Sequence, residues 1–181
     1  MTSIRDRADA SWASNPASCW FAAVKLWDLA SLSAATPRRA YDTGGGMEVM
    51  DSIERALKEI KFDPDGLVPA IAQQHDTGEV LMMAWMNRDA IRASLTEGHA
   101  YYWSRSRAKL WRKGETSGQI QQLRELRLDC DGDSLLLLVD QTGVACHTGR
   151  RSCFFRAWRN AGWAVIEEPQ ISPQILYPEG G

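Results

Sequence analysis

Residues 123–140 read LRELRLDCDGDSLLLLVD, and this stretch decides the fold. Two runs, Leu123 to Cys130 and Ser134 to Asp140, have strand character. Asp131-Gly132-Asp133 lies between them as a reversal with a glycine at its centre. Upstream, Leu67 to Gln74 and Val80 to Met86 read as a second pair. They are joined by His75-Asp76-Thr77-Gly78, a four-residue loop whose glycine supplies positive φ. Further short strands are expected at Ala100–Ser104, Val144–His147, Phe154–Trp158 and Trp163–Glu167, with Asn160-Ala161-Gly162 as a turn. Two helices interrupt them. Asp51-Ser52-Ile53-Glu54 is a capping-box-like start, and Ile53, Leu57 and Ile60 share one helical face, which predicts a helix over Asp51–Ile60. Asn87 caps a second helix, Arg88–Glu97, which Gly98 ends. The expected class is α+β, mainly short antiparallel strands with a few helices.

The flanks differ from this region. Residues 1–46 hold Pro16, Pro37, many Ala and Ser, three scattered tryptophans and a closing Gly44-Gly45-Gly46. They read as a poorly ordered extension, or as sequence upstream of the true start, ahead of a domain over 47–168. From Pro169 the last residues, 169–181, read as a loose tail. The 181 residues carry a net charge of -2, so no global field draws nucleic acid or an anionic membrane. No apolar run approaches the ~20 residues of a membrane helix. A cytoplasmic protein is the expectation, and in that compartment the four cysteines stay reduced.

Cys130, Cys146 and Cys153 cluster in the sequence, while Cys19 stands apart. Three thiolates suit zinc, which prefers soft donors and takes four ligands; three from protein leave one place for water, the pattern of a catalytic site. His147 as fourth ligand is the alternative, a closed structural site. A helix cannot carry both Cys146 and Cys153 to one ion. Seven residues rise ~10.5 Å, whereas two sulfurs on one zinc lie at most ~4.6 Å apart. The chain must turn back between them, with Gly149 available for the bend. Asp129, Asp131 and Asp133 share one face of an extended strand, with Cys130 on the other. Like charges so placed call for a hard cation such as magnesium; a solvated acidic hairpin tip is the plainer reading. Arg105, Arg107, Lys109, Arg112 and Lys113, followed by Gly114-Glu115-Thr116-Ser117-Gly118, form a basic stretch running into a small-residue loop fit to wrap a phosphate. Two rivals lack their signatures. A nucleobase deaminase needs His-x-Glu and Pro-Cys-x-x-Cys; a zinc module for nucleic acid wants close-spaced ligand pairs and positive charge.

Taken together, "GLVPAIAQ" from Gly66, "TGEVLMMAWMN" from Thr77, "YYWSRSRAKLWRKGETSG" from Tyr101, "DCDGD" from Asp129 and "TGVACHTGRRSCFFR" from Thr142 resemble the phosphoribosyl-AMP cyclohydrolases over about Phe62 to Arg156. The resemblance implies hydrolysis between nitrogen 1 and carbon 6 of the adenine ring of phosphoribosyl-AMP, a step of histidine biosynthesis, by a zinc-bound water. It implies an intertwined homodimer around a barrel-like sheet, with one zinc per subunit in a site shared between chains. Zinc falls to Cys130, Cys146 and Cys153, and magnesium to Asp129, Asp131 and Asp133. His147, beside a zinc ligand, is the candidate proton carrier to nitrogen 1. Arg105, Arg107, Trp111, Lys113, Glu115, Thr116 and Ser117 are candidate substrate contacts. The chain departs from the pattern at Gln119, where the family often has His, and at Gln74, where Asp is common.

Overall fold

A computed structural model describes residues 46–177; the expected extension over 1–46 lies, but for Gly46, outside them. Helix α1, Gly46–Glu59, buries Ile53 and Leu57. It starts before the expected Asp51, and the capping box is not used as a cap. Ser52 instead donates its hydroxyl to the Val49 carbonyl at 2.7 Å, the back-bonding of a serine inside a helix. Helix α2, Arg88–Glu97, keeps its expected bounds. The Asn87 side chain accepts from the Ala90 N–H, and Gly98 closes the end at φ 70°.

Strands β1 (Val68–Gln74) and β2 (Val80–Met86) form the expected hairpin. Strands β3 (Tyr101–Ser104) and β4 (Lys109–Arg112) form a second, in which Tyr102 pairs with Trp111. β4 was not foreseen: charges at Arg105, Arg107, Lys109 and Arg112 mask the Leu110-Trp111 pair that packs inward. β5 (Gln121–Leu128) and β6 (Leu135–Gln141) pair around the acidic reversal. β7 (Arg156–Arg159) and β8 (Gly162–Val165) make a separate ribbon across a tight turn with Asn160 and Ala161 both at positive φ. The expected strand at Val144–His147 is absent. There the chain doubles back, with the Cys146 N–H on the Arg150 carbonyl and the Gly149 N–H on the Cys146 carbonyl. A short helix α3, Pro173–Leu176, ends the described chain and buries Leu176.

The main sheet runs β4-β3-β2-β1-β6-β5. All its pairings are antiparallel except β1 with β6, which is parallel. The sheet is therefore mixed, and it curls into a half-barrel within the expected α+β class. Its curl brings β5 back toward the start of β3: the Ala100 N–H bonds the Gln121 carbonyl and the Leu123 N–H bonds the Gly98 carbonyl, each at 2.9 Å. Alternate residues of β6 (Leu135, Leu137, Val139) and of β1 (Val68, Ala70, Ala72) point into the core, which α1 and α2 cover through Leu57, Ala90 and Ile91.

Candidate active site

A cleft of about 550 Å³ opens beside the β3–β4 hairpin. Arg107, Trp111, Arg112 and Lys113 line it from the hairpin, and Gly114, Glu115, Thr116 and Ser117 from the loop that follows. Met82, Ala145, His147, Cys153 and Tyr177 complete the wall. Six of the seven expected substrate contacts thus meet in one place. The seventh, Arg105, lies with its guanidinium 4.7 Å from the centre of the Trp85 ring. The loop after β4 needs its glycine. Gly114 sits at φ +84°, and a Cβ there would come within 2.6 Å of the Gln119 backbone carbon. The Gly118 N–H closes the loop on the Gly114 carbonyl at 2.9 Å.

Cys153 faces this cleft, with the Cys146 sulfur beside it. The Cys153 N–H bonds the Leu81 carbonyl at 2.8 Å, and the buried Cys146 holds its sulfur 3.0 Å from the Thr148 hydroxyl. Cys153 as a residue counts as exposed, yet its thiol is pushed up to about 12, first by desolvation and then by the Cys146 sulfur beside it. Lys113 works the other way on Cys153, while burial lowers its own ammonium and the two sulfurs draw it back up. Arg151 holds the loop from behind, donating to the carbonyls of Gln141 and Gly143 and to the Gln74 amide oxygen. The glutamine at 74, where an acid would have made an ion pair, serves Arg151 as a neutral acceptor. Beneath the cleft a buried chain runs from the Tyr102 hydroxyl to Gln121 (2.7 Å), and from Gln121 to Gln141 (2.9 Å).

The third cysteine is elsewhere. Cys130 is exposed in the loop before one end of β6, and Cys146 follows the other end; Cys153 is held at Leu81, which lies across β1 from Leu137 and Leu138. A seven-residue strand separates these ends by on the order of 20 Å. Among the described residues the three cysteines form no ligand group within one chain; the group of three whose ligand atoms lie within 4.8 Å of one another is Asp129, Asp131 and Asp133. These aspartates do not gather by strand alternation as expected, because β5 stops at Leu128 and the segment is a bend. Asp129 organises it: one carboxylate oxygen accepts the N–H groups of Gly132, Asp133 and Ser134 at 3.0, 3.0 and 3.1 Å. Burial raises that carboxyl, but these backbone donors and a bond shared with Asp131 outweigh it and hold the group below the usual range.

A sequence model of the family described as phosphoribosyl-AMP cyclohydrolase matches residues 82–155. The phosphoribosyl-AMP cyclohydrolase of Rhodospirillum centenum is 66% identical over 128 residues, covering 71% of this chain and 96% of that protein. That of Stutzerimonas stutzeri is 60% identical over 124 residues, covering 68% of this chain and 95% of that protein. This chain belongs to the phosphoribosyl-AMP cyclohydrolase family.

The stretch matched to the cyclohydrolase family contains all three clustered cysteines, the aspartates and most of the cleft. Tyr177 lies beyond it. The tail from Pro169 does not hang free up to that point: Gln170 and Ile171 donate their N–H groups to the Gly149 carbonyl, which seats Tyr177 on the cleft. Sequence reasoning missed Tyr177, because nothing in a Pro-rich tail announces where it docks. It also missed Met82 and Ala145 as wall residues; Arg112, named with the basic stretch though not among the substrate contacts, lines the cleft too. Of the histidines, His147 lines the cleft. His75 pairs with Asp140 at 3.2 Å and His99 rests on the Glu97 carbonyl at 3.0 Å.

Proposed function

We propose that this protein hydrolyses the bond between nitrogen 1 and carbon 6 of phosphoribosyl-AMP, opening the adenine ring in histidine biosynthesis, as a cytoplasmic homodimer. One observation carries the reading: the Cys153 thiol, backed by the buried Cys146 sulfur, and a basic, glycine-bounded loop line one cleft. That is a place for a soft cation beside a place for a phosphate.

The Cys146 and Cys153 sulfurs suit zinc because the Cys153 thiol, desolvated and set beside the Cys146 sulfur, resists ionisation unless a cation neutralises it. Cys130 of a second chain supplies the third sulfur, since its own chain keeps it at the other end of β6. One zinc per subunit follows. Zinc held there supplies a Lewis acid that acidifies water to near neutral pH. Arg107, Lys113 and the hydroxyls of Thr116 and Ser117 bind the phosphate. Trp111 and Glu115 place the base and ribose. Attack by water on carbon 6 makes a tetrahedral centre, and its collapse expels nitrogen 1, which must gain a proton. His147, on the cleft wall, holds that proton. Asp129, Asp131 and Asp133 would hold magnesium, a hard cation suited to their carboxylates. A second chain also has an apolar surface to meet: Trp158 and Trp163, stacked edge to face, are 63% and 67% exposed, with Phe154 and Ile166 nearby in sequence and also exposed.

The test is a direct assay of phosphoribosyl-AMP ring opening on chelated and zinc-restored protein. Turnover should vanish with chelation and return with zinc; a zinc-loaded dimer with no turnover overturns the reaction.

A further inference from the structure

Gln119 touches both halves of the cleft without lining it. Its amide nitrogen donates to the Ser117 carbonyl at 3.1 Å. Its amide oxygen accepts the Val144 N–H at 3.0 Å. The first bond holds the loop that carries Thr116 and Ser117; the second holds the segment two residues before Cys146. Two glycines make room for this bridge. A Cβ on Gly143 would come within 1.9 Å of the Gln119 amide oxygen, and one on Gly114 within 2.7 Å of its backbone carbonyl. A side chain with one donor and one acceptor, each used on a different segment, has the chemistry of a spacer rather than of a packing residue.

We propose that Gln119 is a positioning residue, whose two-ended amide fixes the spacing between the Gly114–Gly118 loop and the Cys146 segment. The idea rests on the reading of that loop as the phosphate site, and it assigns no contact with substrate to Gln119 itself. Binding at the loop then presents the reacting ring at a set distance from the sulfur pair. Misplacement by about 1 Å between such elements costs on the order of a hundredfold in rate.

The test uses the full-length, zinc-replete protein and two variants, with hydrogen exchange beside kinetics. Gln119→Leu removes both bonds at similar volume. Exchange of the Val144 and Gly118 amides should quicken about tenfold together, while kcat/KM for phosphoribosyl-AMP falls roughly 10- to 100-fold and bound zinc stays at the wild-type level. Gln119→Glu keeps the acceptor and loses the donor. It should leave Val144 protected, free only the Gly118 side, and raise KM more than it lowers kcat. If Gln119→Leu quickens exchange evenly across the domain, or leaves both local exchange and kinetics within about twofold of wild type, the bridge is overturned. Should Gln119→Leu fail to fold, the split pattern in Gln119→Glu decides alone. Wild-type protein that shows no turnover but loses local protection in Gln119→Leu sinks the proposed reaction and leaves the bridge standing.

Discussion

Tyr102 is fully buried and gives its hydroxyl to Gln121, itself fully buried. Tyr102→Phe therefore leaves the Gln121 amide oxygen without its donor, at a cost of about 1–3 kcal/mol measured by urea unfolding. The same hydroxyl carries a pH signature. Burial first, and the Cys153 sulfur second, raise its ionisation well above the ordinary value. The folded state thus keeps a proton that the unfolded chain gives up near pH 10, so wild-type stability falls as pH rises from about 10. Tyr102→Phe should lack that share of the alkaline slope; identical slopes in the two proteins would remove the buried hydroxyl from the account. At the ligands, Cys130→Ser, Cys146→Ser and Cys153→Ser should each lose zinc and turnover, with Cys19→Ser as the silent control. Full zinc in any of the three by elemental analysis defeats the assignment. Residue placement in the cleft was legible for Arg107, Trp111, Lys113, Glu115, Thr116 and Ser117, because they lie in one short run of the chain. The Asp129 cap was not legible: an oxygen accepting three backbone N–H groups depends on a bend that alternation of side chains cannot reveal.

Elements were legible where local signals act alone. Asn87 and Gly98 bound α2 because capping is a property of a few adjacent residues, and Gly78 marks the β1–β2 turn for the same reason. β4 and the parallel pairing of β1 with β6 were hidden, since both depend on partners distant in sequence. The loop between Cys146 and Cys153 was foreseen to turn back, but not what covers it. Gly149 stands at φ +79°, and a Cβ there would come within 1.7 Å of the Ile171 carbonyl oxygen. Gly149→Ala should therefore release the 169–177 segment, seen as faster limited proteolysis after residue 168, and raise KM as Tyr177 leaves the cleft. Unchanged cleavage would mean that the tail is held by Leu176 alone.

For the whole molecule, the length of β6 between Cys130 and the sulfur pair makes association the decisive question. Cys130→Ser and Cys153→Ser subunits, unfolded and refolded together, should regain about a quarter of wild-type activity, given random pairing and one intact site in each mixed dimer. Mixed dimers confirmed by native mass but devoid of activity would mean that each chain builds its own site. Removing zinc should weaken the dimer, because metal bound only between chains stabilises the assembly by mass action. The mixing experiment needs chains that survive refolding, and the rims of the sheet bear on this. The outermost strands are β4 and β5, and β5 meets the Gly98–Ala100 segment only over Gln121–Leu123; beyond those contacts the rims carry Lys109 and Arg112 on one, Arg124, Glu125 and Arg127 on the other. Charged borders of this kind act as gatekeepers against strand-by-strand growth into fibrils. Crowded copies of this chain are thereby steered away from endless stacking.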